Sequence, residues 1–565
     1  MKYTAPVDST LFLLKDVLGF DNEMTEPVLR EAAKLCEEVI APTNQEGDRL
    51  GCKKIFQVGP TERVDTVEVP KCFHESWKKF TEGGWLGLSV PEQYGGQGLP
   101  YALASAINEY VSSSNMAFSL YPGLTRGAIQ ALLEVATEEQ KQFYIPKMAS
   151  GEWTGTMNLT EPHCGTDLGL IKTKAAPVGV EEQCYYITGQ KIFISCGEHD
   201  LADNIVHLVL ARIEGDPEGT KGISLFIVPK LLTDGDRNRV SCGSIEKKMG
   251  IHGSSTCVMN YDEAVGYLVG ERGKGLNAMF IMMNEARLGV AVQGLSQSEL
   301  AYQNALNYAK ERVQSVKLTD PKGGSVAIIN HPDVRRMLLD IKSVVIPSRL
   351  LVLEAALLVQ DKSQAAQDKL GLLTPILKAM LTDYAVEHAL KAQQVFGGHG
   401  YVRDWGMEQI VRDARITMIY EGTNGVQALD LVARKLPKDM GRAVFSFFKE
   451  TTELFTNLTE EENQKVWKEY GIPVSSAVSN LKTATEWLAA NGMKNPNDAG
   501  SASYDYLKMF GLAMMGIAWI KILRSTEDED RHNTALYFME RILPETSFLL
   551  ARIKAGSDTM MNAEF

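Results

Sequence analysis

Cys184-Tyr185-Tyr186-Ile187-Thr188-Gly189-Gln190-Lys191-Ile192-Phe193-Ile194-Ser195 decides how the rest of the chain is read. Aromatic and β-branched residues crowd this short run, which is strand texture. The same texture recurs in NIVHLVLARI (204–213), GISLFIVPK (222–230) and STCVMNYDEAV (255–265). These runs are too many and too short for a parallel sheet with crossover helices. They predict a compact antiparallel β-domain over residues 153–275.

On both sides the texture is helical. PVLREAAKLCEEVIAPTN (27–44) and LLEVATEEQKQFYIPKMASG (132–151) repeat apolar residues at three and four, interrupted by a glycine-filled loop, GGWLGLSVPEQYGGQGLP (83–100). Helical spacing returns at Leu276, with three long helices predicted over 277–313, 331–363 and 374–398. A further helical segment runs from Lys438 to the C-terminus, broken by a loop at NGMKNPNDAGSAS (491–503). The fold class is therefore α+β, mainly α. Four domains are expected: an N-terminal extension with a helical domain (1–152), a β-domain (153–275), a helical bundle (276–437) and an additional C-terminal helical domain (438–565).

The 565 residues carry 58 Lys+Arg against 71 Asp+Glu, a net charge of −13, and 44% are apolar. Those values exclude disorder and a membrane bundle and suit a protein with a sizeable core. An acidic surface repels a phosphate backbone, so no nucleic-acid partner is expected. The apolar stretch Phe510–Leu523, interrupted by Lys521, reads as too short to span a bilayer, and the N-terminus has no signal plan; a cytoplasmic location without a membrane partner is the expectation. All eight Cys lie between Cys36 and Cys257 without a CxxC or zinc spacing, so they read as structural thiols, with no metal site.

Gly273, Gly275 and Ala278 form a GxGxxA at a strand-to-helix junction, but the helix runs on without returning to a parallel strand. It reads as a glycine turn, not a dinucleotide site. Thr160-Glu161-Pro162-His163-Cys164-Gly165-Thr166-Asp167 brings hydroxyls and backbone N–H groups to the entrance of the β-domain, where they can meet a ring edge or a phosphate. Phe193 and Ser195, two places apart in a strand, share one face, which suits either core packing or a planar cofactor. Gln394-Val395-Phe396-Gly397-Gly398 ends a helix with glycines that allow close backbone approach. In Arg412-Asp413-Ala414-Arg415-Ile416-Thr417-Met418-Ile419-Tyr420-Glu421-Gly422-Thr423-Asn424, one carboxylate follows an apolar and aromatic run, a setting that suits a general base.

Together these segments resemble the flavin-dependent acyl-CoA dehydrogenase family. The resemblance is carried in family order by GWLGLSVPEQYGGQGL, TEEQKQFYIPKMASGE, LTEPHCGTD, ITGQKIFISCGE, the Arg287 helix, YAKER ending at Arg312, QVFGGHGY and RDARITMIYEGTNG. It implies an FAD held by Met157, Leu159, Thr160, Thr166, Phe193, Ser195, Arg312, Gln394, Gly397, Gly398, Thr423 and Asn424. It also implies an acyl-CoA substrate met by Thr166, Asn284, Arg287 and Tyr420. Electron-transferring flavoprotein as acceptor and a homo-oligomer, dimer or tetramer, follow from the same likeness. The N-terminal segment, the insertion PKGGSVAIINHPDVRRML and the C-terminal helices resemble the family's larger branch, which includes enzymes of 3-methylmercaptopropionyl-CoA.

The resemblance implies removal of an α-proton and a β-hydride from a saturated thioester, to give the trans-2-enoyl-CoA. Glu421 is the expected base; the alternative family position, directly before Arg287, is Ala286, and Glu285 lies about 100° round the helix. Three other readings compete: a general short- or medium-chain acyl-CoA dehydrogenase, an acyl-CoA oxidase, and a non-catalytic flavin protein that binds nucleic acid through its C-terminal helices. The last wants a basic extension, whereas residues 438–565 hold 14 Lys+Arg against 18 Asp+Glu.

Overall fold

Helices precede and follow a sheet, and the fold is α+β and mainly helical, as expected. The structure is a computed structural model that describes residues 1–58, 63–179, 183–458 and 464–565. The helical reading of 459–463 lies outside the described residues. By compactness the chain divides into two units. One comprises Met1–Ala33, Tyr101–Glu109 and Val290–Phe565, the other Lys34–Pro100 and Tyr110–Gly289.

The second unit holds the strands: β1 (Lys53–Val58), β2 (Arg63–Glu68), β3 (Trp153–Asn158), β4 (Lys174–Pro177), β5 (Cys184–Ser195), β6 (Asn204–Ile213), β7 (Ile223–Pro229), β8 (Val240–Ile245) and β9 (Thr256–Val269). β4, β5, β9, β7 and β6 pair in turn, and β6 pairs again with β4, so five strands close into a ring. β3 adds to β6 and β8 to β9. Ile187, Val209, Phe226, Met259 and Tyr261 are among the side chains that fill the interior.

The expectation of an antiparallel domain needs correction: β3–β6 and β4–β6 are parallel. Parallel partners need a long connection, and here β4 and β5 lie within the connection between β3 and β6. Strand texture shows that strands exist, and short turns show which neighbours fold back, but pairing between distant strands leaves no mark in local spacing. A second correction is the β1–β2 hairpin, inside a region read as helical.

In the helical unit, the helices Pro332–Gln360, Gln364–Phe396 and Pro496–Leu523 pack together. Trp519 is fully buried and donates from its indole N–H to the Ser343 carbonyl, 2.9 Å. Lys521 pairs with Glu354, which also holds Lys369 at 2.8 Å. Burial would raise the Glu354 carboxyl, but the two ammonium groups hold it at about 2.

The loop read at 491–503 is shorter than expected. The Asn495 side chain accepts from the Asn497 N–H and Pro496 opens the helix, a start signal that the small residues Ala499 to Ser503 obscured. Phe510–Leu523 is therefore part of a 28-residue helix, not a short stretch. That helix and Pro332–Gln360 are long and apolar enough to cross a membrane by length and composition, and most of each is buried inside the protein.

Candidate functional site

In the helical unit, the helix Met407–Arg415 runs into a tight turn, Ile416–Met418, and then into the loop that carries Glu421. Glu421 has φ of +55° and Gly422 has +85°. A left-handed backbone at a non-glycine residue is costly and persists where its surroundings over-determine it. Here they do. Lys378, whose side chain is fully buried, donates from Nζ to the Gly422 carbonyl (2.7 Å) and to Asn424 Oδ1 (2.9 Å). Gln427 Nε2 donates to the carbonyls of Glu421 and Gly422, 3.3 and 3.4 Å. Thr423 caps the next helix, Asn424–Asp430, by accepting from the Val426 N–H. Tyr420 donates its hydroxyl to Gln293 Oε1, and burial pushes its pKa upward.

Gly422 is required twice over, by its φ and because a Cβ there would stand 2.5 Å from Gln427 Nε2. Gly422→Ala should therefore shift the loop by less than an ångström and lower kcat roughly tenfold. Its thermal midpoint should move only a few degrees. Steady-state kinetics with circular-dichroism melting checks this; unchanged kcat would show that the loop tolerates displacement.

Arg312, Gln394, Gly397, Gly398 and Thr423 lie exposed in this same unit. Gly397 has φ of +58°, and a Cβ added at Gly397 or Gly398 would meet nothing within 4 Å. The backbone there faces open space that a ligand's polar groups can enter closely. Behind it Tyr308 stacks on Phe396 (4.1 Å) and donates to or accepts from His399 Nδ1 (2.9 Å), while His399 stacks on Trp405 (4.4 Å). This aromatic tier holds the glycine loop in place.

The strand unit carries the other expected cofactor residues. β3 ends at Asn158 and brings up half-buried Met157, then buried Leu159 and half-buried Thr160; Thr166 is exposed further along the loop. Glu161 is the anchor of that loop. Its carboxylate accepts from the N–H groups of Lys172 (2.7 Å) and Thr173 (3.0 Å), the Thr173 hydroxyl (2.6 Å) and Lys191 Nζ (2.9 Å). Lys191, fully buried, also donates to the Leu159 carbonyl at 3.0 Å. Burial opposes charge on both partners, yet the ammonium and the surrounding donors hold Glu161 below the usual carboxylate range. Glu161, His163 and Cys164 stand close enough to share a cation, but the Glu161 oxygens are already engaged and burial keeps Cys164 a thiol.

Phe193 departs from the expected regular strand. It has φ of +59° at a bulge between Lys191 and Ile194, so plain alternation does not set its direction. The bulge leaves the ring 60% exposed, with Ser195 half-buried two places on. An exposed aromatic face at a strained position fits a planar, partly apolar partner. Beneath β3, His207 Nδ1 meets the Thr156 hydroxyl (2.7 Å), Asn158 donates to Thr156 (2.8 Å), and Tyr261 donates to Asn158 (2.8 Å).

Of the expected substrate residues, Asn284 is exposed, Arg287 is buried and Thr166 is exposed, all in the strand unit; Tyr420 is half-buried in the helical unit. The sequence reading did not single out Lys378, Gln427, Glu161 or Lys191 as parts of the site. The available signal was a lone lysine inside an apolar run, TPILKAMLTDYA for Lys378 and KIFI for Lys191.

Comparison with known proteins finds matches along most of the chain. Models of the acyl-CoA dehydrogenase N-terminal, middle and C-terminal domains match residues 22–152, 156–264 and 273–436. An acetyl-CoA dehydrogenase C-terminal-like model matches 447–564. A 3-methylmercaptopropionyl-CoA dehydrogenase of Ruegeria pomeroyi is 37% identical, over 100% of both chains. A butyryl-CoA dehydrogenase of Syntrophomonas wolfei is 39% identical, over 76% of this chain and 72% of that one. The solved structure of Caenorhabditis elegans ACDH-11 in complex with C11-CoA has a TM-score of 0.82, over 96% of this chain and 92% of that one; at 21% identity this is a likeness of fold.

Proposed function

The chain belongs to the acyl-CoA dehydrogenase family, FAD-dependent oxidoreductases that act on the CH–CH bond of an acyl-CoA, and from that premise we propose that it oxidises a short acyl-CoA with Glu421 as the base. The observation that carries this reading is the loop itself: one carboxylate held at a strained φ, with its neighbour's carbonyl fastened by a buried lysine. Strain so firmly braced is typical of residues whose direction matters to chemistry.

The Glu421 carboxylate takes the pro-R α-proton of the thioester. An α-proton beside a thioester is too weak an acid for a carboxylate unless the developing enolate oxygen is stabilised, and the Glu421 backbone N–H donates to that oxygen. Bound FAD supplies the acceptor for the β-hydride. Thr160, Thr166, Phe193 and Ser195 would hold the ring system of that FAD, and Arg312, Gln394 and the Gly397–Gly398 backbone would receive its polar remainder, in a protein that works as a homo-oligomer. By the family likeness, Arg287 and Asn284 of the strand unit and Tyr420 of the helical unit are the proposed substrate contacts. Electron-transferring flavoprotein would be the electron acceptor, in the cytoplasm and without a membrane or nucleic-acid partner.

The substrate is 3-methylmercaptopropionyl-CoA, giving methylthioacryloyl-CoA. The full-length similarity to an enzyme of that name, including the C-terminal segment, supports this choice. A thioether packs well against methionine and aromatic side chains, and Met418 and Tyr420, just before Glu421 in the sequence of the helical unit, provide them. One methylene in an apolar pocket is worth about 1 to 3 kcal/mol, so butanoyl-CoA and pentanoyl-CoA should turn over within roughly two orders of magnitude of the thioether substrate. The test is kcat/KM across acyl lengths, with electron-transferring flavoprotein or O₂ as acceptor. A maximum at long chains would defeat the substrate assignment, and stoichiometric peroxide without the carrier would favour an oxidase.

A further inference from the structure

The Glu421 loop is held from one side by a chain of polar side chains that begins in the C-terminal segment. Tyr504, on the helix Pro496–Leu523, donates its hydroxyl to Asp383 Oδ2 at 2.5 Å. Asp383 Oδ1 accepts from Asn424 Nδ2 at 2.7 Å, and Asn424 Oδ1 accepts from Lys378 Nζ at 2.9 Å. Lys378 Nζ continues to the Gly422 carbonyl. The Asn424 amide also meets the Ala379 carbonyl (3.1 Å) and the Thr382 hydroxyl (2.9 Å).

An amide between an ammonium and a carboxylate has its orientation decided for it. Its oxygen turns to the cation and its NH₂ to the anion, and both bonds are charge-assisted and shorter and stronger than neutral ones. Asn424, expected beside the flavin, thus spends its side chain inside this unit, and it is 3% exposed. Burial pushes the Asp383 carboxyl up, and the Tyr504 and Asn424 donors oppose that shift by favouring its charged form. A buried polar chain is cooperative, and loosening one end weakens the rest.

We infer that Tyr504, Asp383, Asn424 and Lys378 form a positioning relay through which the C-terminal segment fixes the Gly422 carbonyl, and with it the direction of the Glu421 carboxylate. The inference rests on the reading of Glu421 as the base. It gives the C-terminal helices a role in the reaction itself: Tyr504 lies in the stretch matched by the separate C-terminal-like model, outside the 273–436 domain that contains the base. None of the four side chains touches substrate in this account. They act by removing the loop's freedom to relax from its strained φ.

The test uses FAD-loaded full-length protein and anaerobic stopped-flow measurement of flavin reduction per bound flavin. The fastest thioester of the acyl panel is used, with and without deuterium at the α-carbon. Tyr504→Phe should slow flavin reduction roughly threefold to tenfold, because sub-ångström misplacement of a reacting group has effects of this size. The α-deuterium isotope effect should rise, while substrate affinity stays within about twofold and the melting temperature stays unchanged. Lys378→Met should be slower than Tyr504→Phe, and Lys378→Arg should recover part of the loss. Should Lys378→Met fail to fold, Tyr504→Phe and Asp383→Asn carry the test, and the double variant should be no slower than Asp383→Asn alone.

Wild-type rates with a wild-type isotope effect in Tyr504→Phe would overturn the relay. So would a loss explained wholly by lower FAD occupancy. Glu421→Gln, run beside them, separates the two failures. If it keeps wild-type flavin reduction, the base assignment fails and the relay with it; if it is inactive while Tyr504→Phe is unaffected, the relay alone fails.

Discussion

Glu421→Gln will bind FAD and acyl-CoA as the unaltered protein does and lose turnover by roughly two to four orders of magnitude. The amide has the shape of the carboxylate and cannot accept the α-proton. The fold should tolerate the change, because the loop is fastened through its backbone. Lys378 and Gln427 hold the carbonyls of Gly422 and Glu421, and Thr423 starts the next helix. The flavin spectrum gives cofactor content, and anaerobic mixing with substrate gives the rate of flavin bleaching. Near-normal bleaching would move the base to Glu285, whose side chain is half-buried on the long helix Gly275–Glu311.

Arg349→Leu will destabilise the helical unit by about 3 to 5 kcal/mol, the usual consequence of removing one partner from a buried ion cluster. Arg349 is 2% exposed. It donates to both oxygens of Glu109, 2.9 and 3.1 Å from Nε and 2.7 Å from Nη2, and to Glu299 Oε2 at 2.5 Å. Without the guanidinium, two carboxylates stay buried among the helices Tyr101–Ser114, Gly275–Glu311 and Pro332–Gln360. Burial already pushes the Glu109 carboxyl up, and the arginine opposes that shift.

A carboxyl raised in the folded state binds its proton more tightly there than in the unfolded chain. Its favourable contribution is full below the unfolded value, about 4.3, and is lost as pH rises through the folded value. The variant's deficit against the unaltered protein should therefore grow between pH 5 and pH 7.5 in urea denaturation. Equal deficits at the two values would show that lost packing, not uncompensated charge, causes the loss.

The parts of the site legible in the sequence were those marked by local chemistry. Glu421 stood out as the one carboxylate after an apolar run, and Gly422 behind it is what a left-handed turn demands. Phe193 was legible as an aromatic on a strand, but the bulge that turns it outward arises from pairing with β9, whose residues lie more than sixty positions away. Lys378 and Lys191 were hidden for the opposite reason. Each sits in an apolar run that reads as core, and each is core, buried because its partners arrive from distant segments: Gly422 and Asn424 for one, Glu161 for the other. The fold class was legible because texture is local. The hairpin Lys53–Val58 with Arg63–Glu68 was not, since two short strands were outweighed by the helical spacing on both sides. Parallel pairing was equally silent.

The five-strand ring closes over unequal lengths. β6 and β7 are paired from Val206↔Pro229 to Arg212↔Ile223, whereas β4 meets β6 only at Lys174↔Arg212 and Ala175↔Ile213. Along its closed part the ring offers no free strand edge to another chain, and that protection is as durable as its shortest seam. Local opening begins where fewest backbone bonds must break. In deuterium-labelled solvent the amides of Arg212 and Glu214, which bond to the Thr173 and Ala175 carbonyls, should exchange ahead of those paired between β6 and β7. Once parted, β4 and the end of β6 would present unpaired N–H and C=O rows, so self-association of this protein under heat stress would be seeded at that seam, while its helices are still folded.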